Sequence, residues 1–214
     1  MKKIFFIGAG GHFKDVFYWY LDQMLYENKK NEIKGIIDDY KEHLKIEKSS
    51  KLRIYKSNKI SIKDNIHLIL SIGQMQIRKK IIKKFGKFKF ENCVHPKANI
   101  SIGSSYKKGN IFAPNAIISG NANIGEFNNF SQNSTVSHDC KIGNNNFFSP
   151  GVSIMGNCKI GNNNFFGVSS NMIPGIKILN DNTIGANATM IRSRLKSNKI
   201  FVGVPAKEIK KKVD

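Results

Sequence analysis

Acidic residues are scarce in this chain of 214: 15 Asp and Glu stand against 35 Lys and Arg, a formal net charge of +20. Cysteine is scarcer, at three. An odd number without a metal-type pair excludes a disulfide scaffold and fits a reducing cytosol. No run approaches the ~18 apolar residues of a membrane span. The start, Met1-Lys2-Lys3 then Ile4 to Ile7, imitates an export signal. Its apolar stretch stops at Gly8, and His12, Lys14 and Asp15 follow, so export is rejected and a cytoplasmic protein is expected. With 40 % hydrophobic and 23 % charged residues, general disorder is excluded and one or two domains with a sizeable core are expected.

A net charge of this size suggests nucleic acid or an anionic surface, but its distribution argues otherwise. Residues 1–91 carry 21 Lys and Arg against 10 Asp and Glu, residues 92–191 only 6 against 3, and residues 192–214 carry 8 against 2. Half the chain is therefore almost uncharged between lysine-rich ends. Lys79-Lys80 and Lys83-Lys84 fall at helical spacing with Ile77, Ile81, Ile82 and Phe85, which reads as a solvated face. Aromatics interleaved with basic residues, which single-stranded nucleic acid would need, are not evident. A smaller polyanion such as a nucleotide fits better.

The uncharged half is periodic. Stepping by six from Val94 reaches Ile100, Tyr106, Phe112 and so on to Met190, and all seventeen positions are apolar. Six steps of an α-helix would scatter those side chains around the cylinder. Four residues after the apolar slot come small residues, such as Ala116, Ala122, Ser134, Cys140 and Cys158. Every third such slot instead holds Asn: 110, 128, 146, 164 and 182. Asn tolerates the left-handed backbone that corners need, and stacked Asn can form an amide ladder. The coil is thus 18 residues, three short strands and three corners, rising roughly 4.8 Å per turn. This is a triangular parallel β-helix, the hexapeptide-repeat solenoid. Cys140 and Cys158, one coil apart, read as small core fillers.

The N-terminal part alternates. Lys3 to Ile7 reads as a buried strand, then comes the turn Gly8-Ala9-Gly10-Gly11 and an amphipathic helix from about His12 to Tyr26. A strand over 33–37 ends in Asp38-Asp39. Another over 66–72 ends at Gly73, followed by a helix through Phe85. Strand, glycine turn, helix, strand and acid make the mononucleotide-binding half of a doubly wound sheet. The fingerprint is incomplete, because Phe13 stands where a third glycine would be. The turn therefore serves equally as plain strand-to-helix geometry. As a ligand site it would suit an anion at the helix N-terminus, with Asp38 or Asp39 for a ribose hydroxyl. The expected division is 1–91 for this Rossmann-like unit and 92–214 for the solenoid with its tail.

Of five histidines, His12, His43, His67 and His95 lie in or near the first unit and read as structural or exposed. His138 differs, sitting inside the neutral solenoid beside Asp139, one of only three carboxylates between residues 92 and 191. An outward-pointing corner residue is the plain alternative. An imidazole oriented by a carboxylate is otherwise a suitable general base.

At this point the sequence resembles the hexapeptide-repeat, acetyl-CoA-dependent acyltransferases that modify amino sugars and sialic acids in bacterial surface-glycan pathways. The marks are Gly8-Ala9-Gly10-Gly11-His12, Asp38-Asp39, Ser71-Ile72-Gly73 with Arg78, His95-Pro96, His138 to Gly143, Ser149-Pro150-Gly151 and Gly203 to Lys207. The resemblance implies a left-handed β-helix, a homotrimer with sites between neighbours, and direct transfer using acetyl-CoA without a metal. It implies His138 as base, Asp139 raising its basicity, and the Gly156 N–H as oxyanion donor. Phe147, Gly156, Gly167, Val168, Gly185 and Ala186 match coenzyme-binding positions. Gly10, Gly11, His12, Asp38, Asp39 and Gly73 match the nucleotide-sugar site. One departure stands out: Phe147 occupies the place of a second, coenzyme-contacting histidine. The reading reached is N-acetylation of a nucleotide-linked amino-deoxy sugar, at a 4-amino group. O-acetylation of a sialic or related nonulosonic acid and a non-catalytic nucleotide-sugar-binding scaffold remain as alternatives.

Overall fold

The computed structural model describes residues 1–40, 52–60 and 65–210; His43 and the last four residues lie outside them. The chain forms two compact units, residues 1–96 and 97–214. Among the described residues no helix is long and apolar enough to cross a membrane.

The first unit is a five-stranded parallel sheet with order β3-β2-β1-β4-β5, built from β1 (Lys3–Ile7), β2 (Glu32–Ile37), β3 (Ile54–Tyr55), β4 (Ile66–Leu70) and β5 (Lys89–Phe90). Ile4, Phe5, Phe6 and Ile7 are all buried, as a central parallel strand covered on both faces requires. Helix α1 (Gly11–Tyr26) turns Phe13, Val16, Trp19, Tyr20 and Gln23 inward, at the 3.6-residue spacing of one apolar stripe. Phe13, in place of the third glycine, packs edge-on against Phe6 at 5.5 Å. Helix α2 (Met75–Phe85) follows β4. That strand stops at Leu70 and not at Ile72, because Ser71 turns back and its hydroxyl donates to the carbonyls of Ile7 and Gly8. The two-residue strands β3 and β5 are too short for periodicity to reveal. The unit runs to Pro96 because the next segment bonds to α1: Val94 N–H donates to Gln23 Oε1 at 2.9 Å, and His95 Nε2 meets Asp22 Oδ2 at 3.1 Å.

The second unit is a parallel β-solenoid of two-residue strands stacked at 18-residue intervals on three faces. Face one runs from Asn99–Ile100 to Thr189–Met190, face two from Ser105–Tyr106 to Lys177–Ile178, and face three from Ile111–Phe112 to Thr183–Ile184. The apolar slots point inward: every one from Phe112 to Met190 is buried, while Tyr106 near the open end is 41 % exposed. On face three, Phe112, Phe130, Phe148 and Phe166 stack with centroids 4.7–5.1 Å apart and rings nearly coplanar. Cys140 and Cys158 are buried free thiols donating to the carbonyls of Met155 and Ile173.

The asparagine ladder forms, but its members are not the corner residues. Asn110, Asn128, Asn146, Asn164 and Asn182 are buried, and each Oδ1 accepts a backbone N–H one coil on, as Asn146 Oδ1 does from Asn164 at 2.9 Å. Asn146 Nδ2 also donates to Gly161 O, closing the coil across its interior. The left-handed backbone instead falls one residue earlier, at every sixth position from Gly109 to Asn187. Gly, Asn and Asp fill these positions except at Phe127 and Ser169, which the ladder's tight register holds there against their preference.

Asn146→Ala should therefore remove about 2–3 kcal/mol by orphaning buried amide groups. Asn157→Gly, at an exposed corner with φ 61°, should stay within about 0.5 kcal/mol. Chemical denaturation of both variants checks the contrast.

Candidate active site

A cavity of about 830 Å³ opens at the carboxyl ends of β1, β2 and β4, the ligand end of an open α/β sheet. Gly10, Gly11, His12, Asp38, Asp39 and Gly73, scattered over the first 73 residues, all line it. The geometry is held by cross-links between three loops. Asp38 Oδ2 accepts the Ala9 N–H at 2.7 Å and its Oδ1 accepts the Tyr40 N–H at 2.7 Å, tying the glycine turn to the end of β2. Gly8, at φ +97°, packs so closely on Ile72 that a Cβ there would lie 2.3 Å from Ile72 Cγ1. The wholly buried Arg78 donates from Nη1 to the Ile72 carbonyl at 2.8 Å, and burial pushes its guanidinium down to about 9.

Asp39 lies at the same mouth. Slight burial raises its carboxyl, but the Ser57 hydroxyl at 2.5 Å, the Ser57 N–H at 2.8 Å and Lys84 at 3.4 Å outweigh this and hold it below the usual carboxylate range. It therefore stays ionised at neutral pH. Ser57 was not foreseen, since a serine in a short 3-10 turn carries no pattern. Lys84, expected to be merely solvated, reaches into this cluster. Ile77, Ile81 and Phe85, legible as one face of α2, form the cavity's apolar wall. The site thus joins backbone N–H groups at a helix start, two carboxyl groups and an apolar wall, a combination suited to phosphate, ribose and base.

The second cluster lies on one solenoid corner, where face one passes into face two. His138 Nδ1 lies 2.7 Å from Asp139 Oδ2, and both side chains are about half exposed. Asp139 is itself the left-handed corner residue, at φ 59°, which turns its carboxylate back onto the preceding imidazole. That hydrogen bond, chiefly, holds the Asp139 carboxyl below its ordinary range, with one from Asn121 adding to it. Gly156 is directly one coil on: a Cβ there would stand 2.7 Å from His138 Nε2. No other residue type leaves room for the ring in this rotamer. The Gly156 carbonyl is taken by Gly175 N–H, whereas its own N–H donates to no group among the described residues. In the tautomer that donates Nδ1–H to Asp139, Nε2 presents a lone pair next to an available amide donor.

The other expected coenzyme positions lie elsewhere on the solenoid. Val168, 49 % exposed, and Ala186 cap the corner between faces three and one. Gly167 sits beneath them, with room for no Cβ against Ala186 N at 2.6 Å, and Gly185 abuts Val202. Phe147 is on face three, buried and stacked 5.8 Å from Phe165. Within one chain, face one separates the Gly167, Val168, Gly185 and Ala186 group from His138. Among the described residues no group of three His, Cys, Asp or Glu side chains is arranged to hold a metal ion.

Comparison with known proteins follows the same two parts. Residues 3–85 match the PglD N-terminal domain, and residues 139–170 match the bacterial transferase hexapeptide of six repeats. No curated protein matches the chain in sequence. Among solved structures, the chain is similar to the acetyltransferase domain of PglB from Neisseria gonorrhoeae FA1090, at 20% identity, TM-score 0.83, covering 98% of this chain and 100% of that one. It is similar to PerB from Caulobacter crescentus in complex with CoA and GDP-perosamine, at 23% identity, TM-score 0.78 and 98% of each chain. WeeI from Acinetobacter baumannii AYE matches at 19% identity and TM-score 0.78, over 98% of this chain and 100% of its own. These likenesses establish the two-part fold over nearly the whole chain.

Gly156→Ala should force the imidazole off its Asp139 contact while costing little stability, because the atoms it meets belong to an exposed side-chain ring that can turn outward. The NMR chemical shifts of the His138 ring should show the displacement, with the thermal midpoint held within about 5 °C.

Proposed function

We propose that this chain is an acetyl-CoA-dependent N-acetyltransferase acting on the amino group, at C4, of a nucleotide-linked amino-deoxy sugar. The observation that carries the reading is the His138–Asp139 pair seated on Gly156. It stands in the same chain as a nucleotide-sized cavity in the first unit. Relatives of the same fold add support, one in complex with acetyl coenzyme A and one with CoA and GDP-perosamine.

In this reading the nucleotide occupies the cavity of the first unit, its phosphates on the amides of Gly10 and Gly11 and its ribose near Asp38 or Asp39. The sugar amine meets the thioester at the solenoid corner. His138 Nε2 takes the amine's proton as nitrogen attacks the carbonyl carbon, and Asp139 stabilises the resulting imidazolium. The Gly156 N–H faces the developing oxyanion. Collapse breaks the carbon–sulfur bond, the His138 imidazolium returns its proton to the departing sulfur, and the free coenzyme thiol and the amide remain. No acyl-enzyme is involved. A homotrimer is part of the proposal, because His138 and the Val168–Ala186 corner are on opposite edges of one face, and a neighbouring copy could bring them together. The outward residues of that face, Asn99, Ile117, Thr135, Ser153, Asn171 and Thr189, carry no charge. A cytoplasmic location is also part of the proposal, and the three free, buried cysteines support it.

Release of free thiol from acetyl-CoA with a panel of nucleotide-linked 4-amino sugars tests the reaction. His138→Ala should lower kcat by roughly 10² to 10⁴ with coenzyme binding retained; unchanged turnover would dismiss the base. Thiol release with free sialic acids alone would assign O-acetylation instead. Asp38→Ala should raise KM for the nucleotide sugar more than it changes kcat, and steady-state kinetics on the same substrate would read the split.

A further inference from the structure

Face two of the solenoid carries a feature to which the proposed mechanism gives no role. Its outward residues are Ser105, Asn123, Lys141, Lys159 and Lys177, each directly opposite the next. The three lysines are exposed and stacked about 4.8 Å apart. None has an ion-pair partner among the described residues. Like charges directly opposite on neighbouring strands destabilise a sheet, and the equivalent row on face one avoids charge altogether. Residues 92–191 hold only six basic side chains; four of them, Lys107 and these three, line one groove of about 830 Å³, and none of the three acidic residues does. Tyr106 at one end and Leu179 and Leu195 at the other also line this groove.

We propose that this groove binds a soluble linear oligophosphate lying along the solenoid axis. Ammonium groups bind phosphate as point charges, and three in one line about 10 Å long fit a chain of linked phosphates. The single-file row of exposed ammonium groups matches a narrow linear chain. The site is distinct from the cavity of the first unit and from the His138 corner, so it stands or falls independently of the acetyl-transfer reading.

The probe is inorganic tripolyphosphate, titrated calorimetrically into the full chain at low and high salt, beside the triple variant Lys141→Gln, Lys159→Gln, Lys177→Gln. The wild type should bind, with affinity falling as salt rises. The triple variant should bind at least about tenfold more weakly and should unfold no earlier without phosphate, since repulsion is relieved. No binding by the wild type, or equal binding by the variant, would overturn the proposal. So would lysine-dependent capture by phosphatidylglycerol vesicles without tripolyphosphate binding, which would make the face a membrane contact.

Discussion

A buried asparagine can take the N–H of the residue one coil on only when that coil has the right length. In the solenoid this condition is met five times, at Asn110, Asn128, Asn146, Asn164 and Asn182. Inserting or deleting one residue would leave a carboxamide buried without its partner, at a cost comparable to a substantial share of a domain's net stability. The stacked phenylalanines beside the ladder impose the same spacing through ring contact. Register is therefore enforced twice, by polar and by apolar groups. The placement of Gly156 on the His138 ring is a consequence of that enforcement, since the two residues are one coil apart and share a corner.

The first unit obtains precision differently. Its ligand end consists of loops, which lack a repeat to hold them, and they are joined pairwise. Asp38 holds the glycine turn, Ser71 bonds back to Ile7 and Gly8, and Arg78 secures the Ile72 carbonyl. A carboxylate that part-way serves backbone amides is less free to serve a ligand. Both acids are so engaged, Asp38 by the Ala9 and Tyr40 amides and Asp39 by Ser57 and Lys84, and Asp39 is the more exposed of the two.

Much of this was legible before any coordinates. A six-residue apolar period and an eighteen-residue asparagine period cannot be satisfied by a helix or a flat sheet, so the solenoid followed from arithmetic and geometry. The glycine turn and the acids after β2 were legible because strand, turn and helix each leave local marks. Coil stacking also set Gly156 over His138 without side-chain detail. Three things escaped. Ladder and corner asparagines are adjacent in sequence, and nothing in composition says which of the pair points inward. Ser57 and Lys84 join Asp39 from distant segments, by contacts that have no period. The separation of Val168 and Ala186 from His138 depends on which face intervenes, a matter of topology.

Asp139 occupies a position where backbone strain admits few residue types, and Asn is the commonest occupant of its equivalents along the solenoid. An exchange of Asp139 for Asn would satisfy the corner as well as its neighbours do, yet strip the imidazole of its carboxylate. Architecture and chemistry are thus separable at a single codon. Selection acting on the fold alone could not keep that charge, and a copy of this gene freed from its task could drift into a silent, well-folded solenoid.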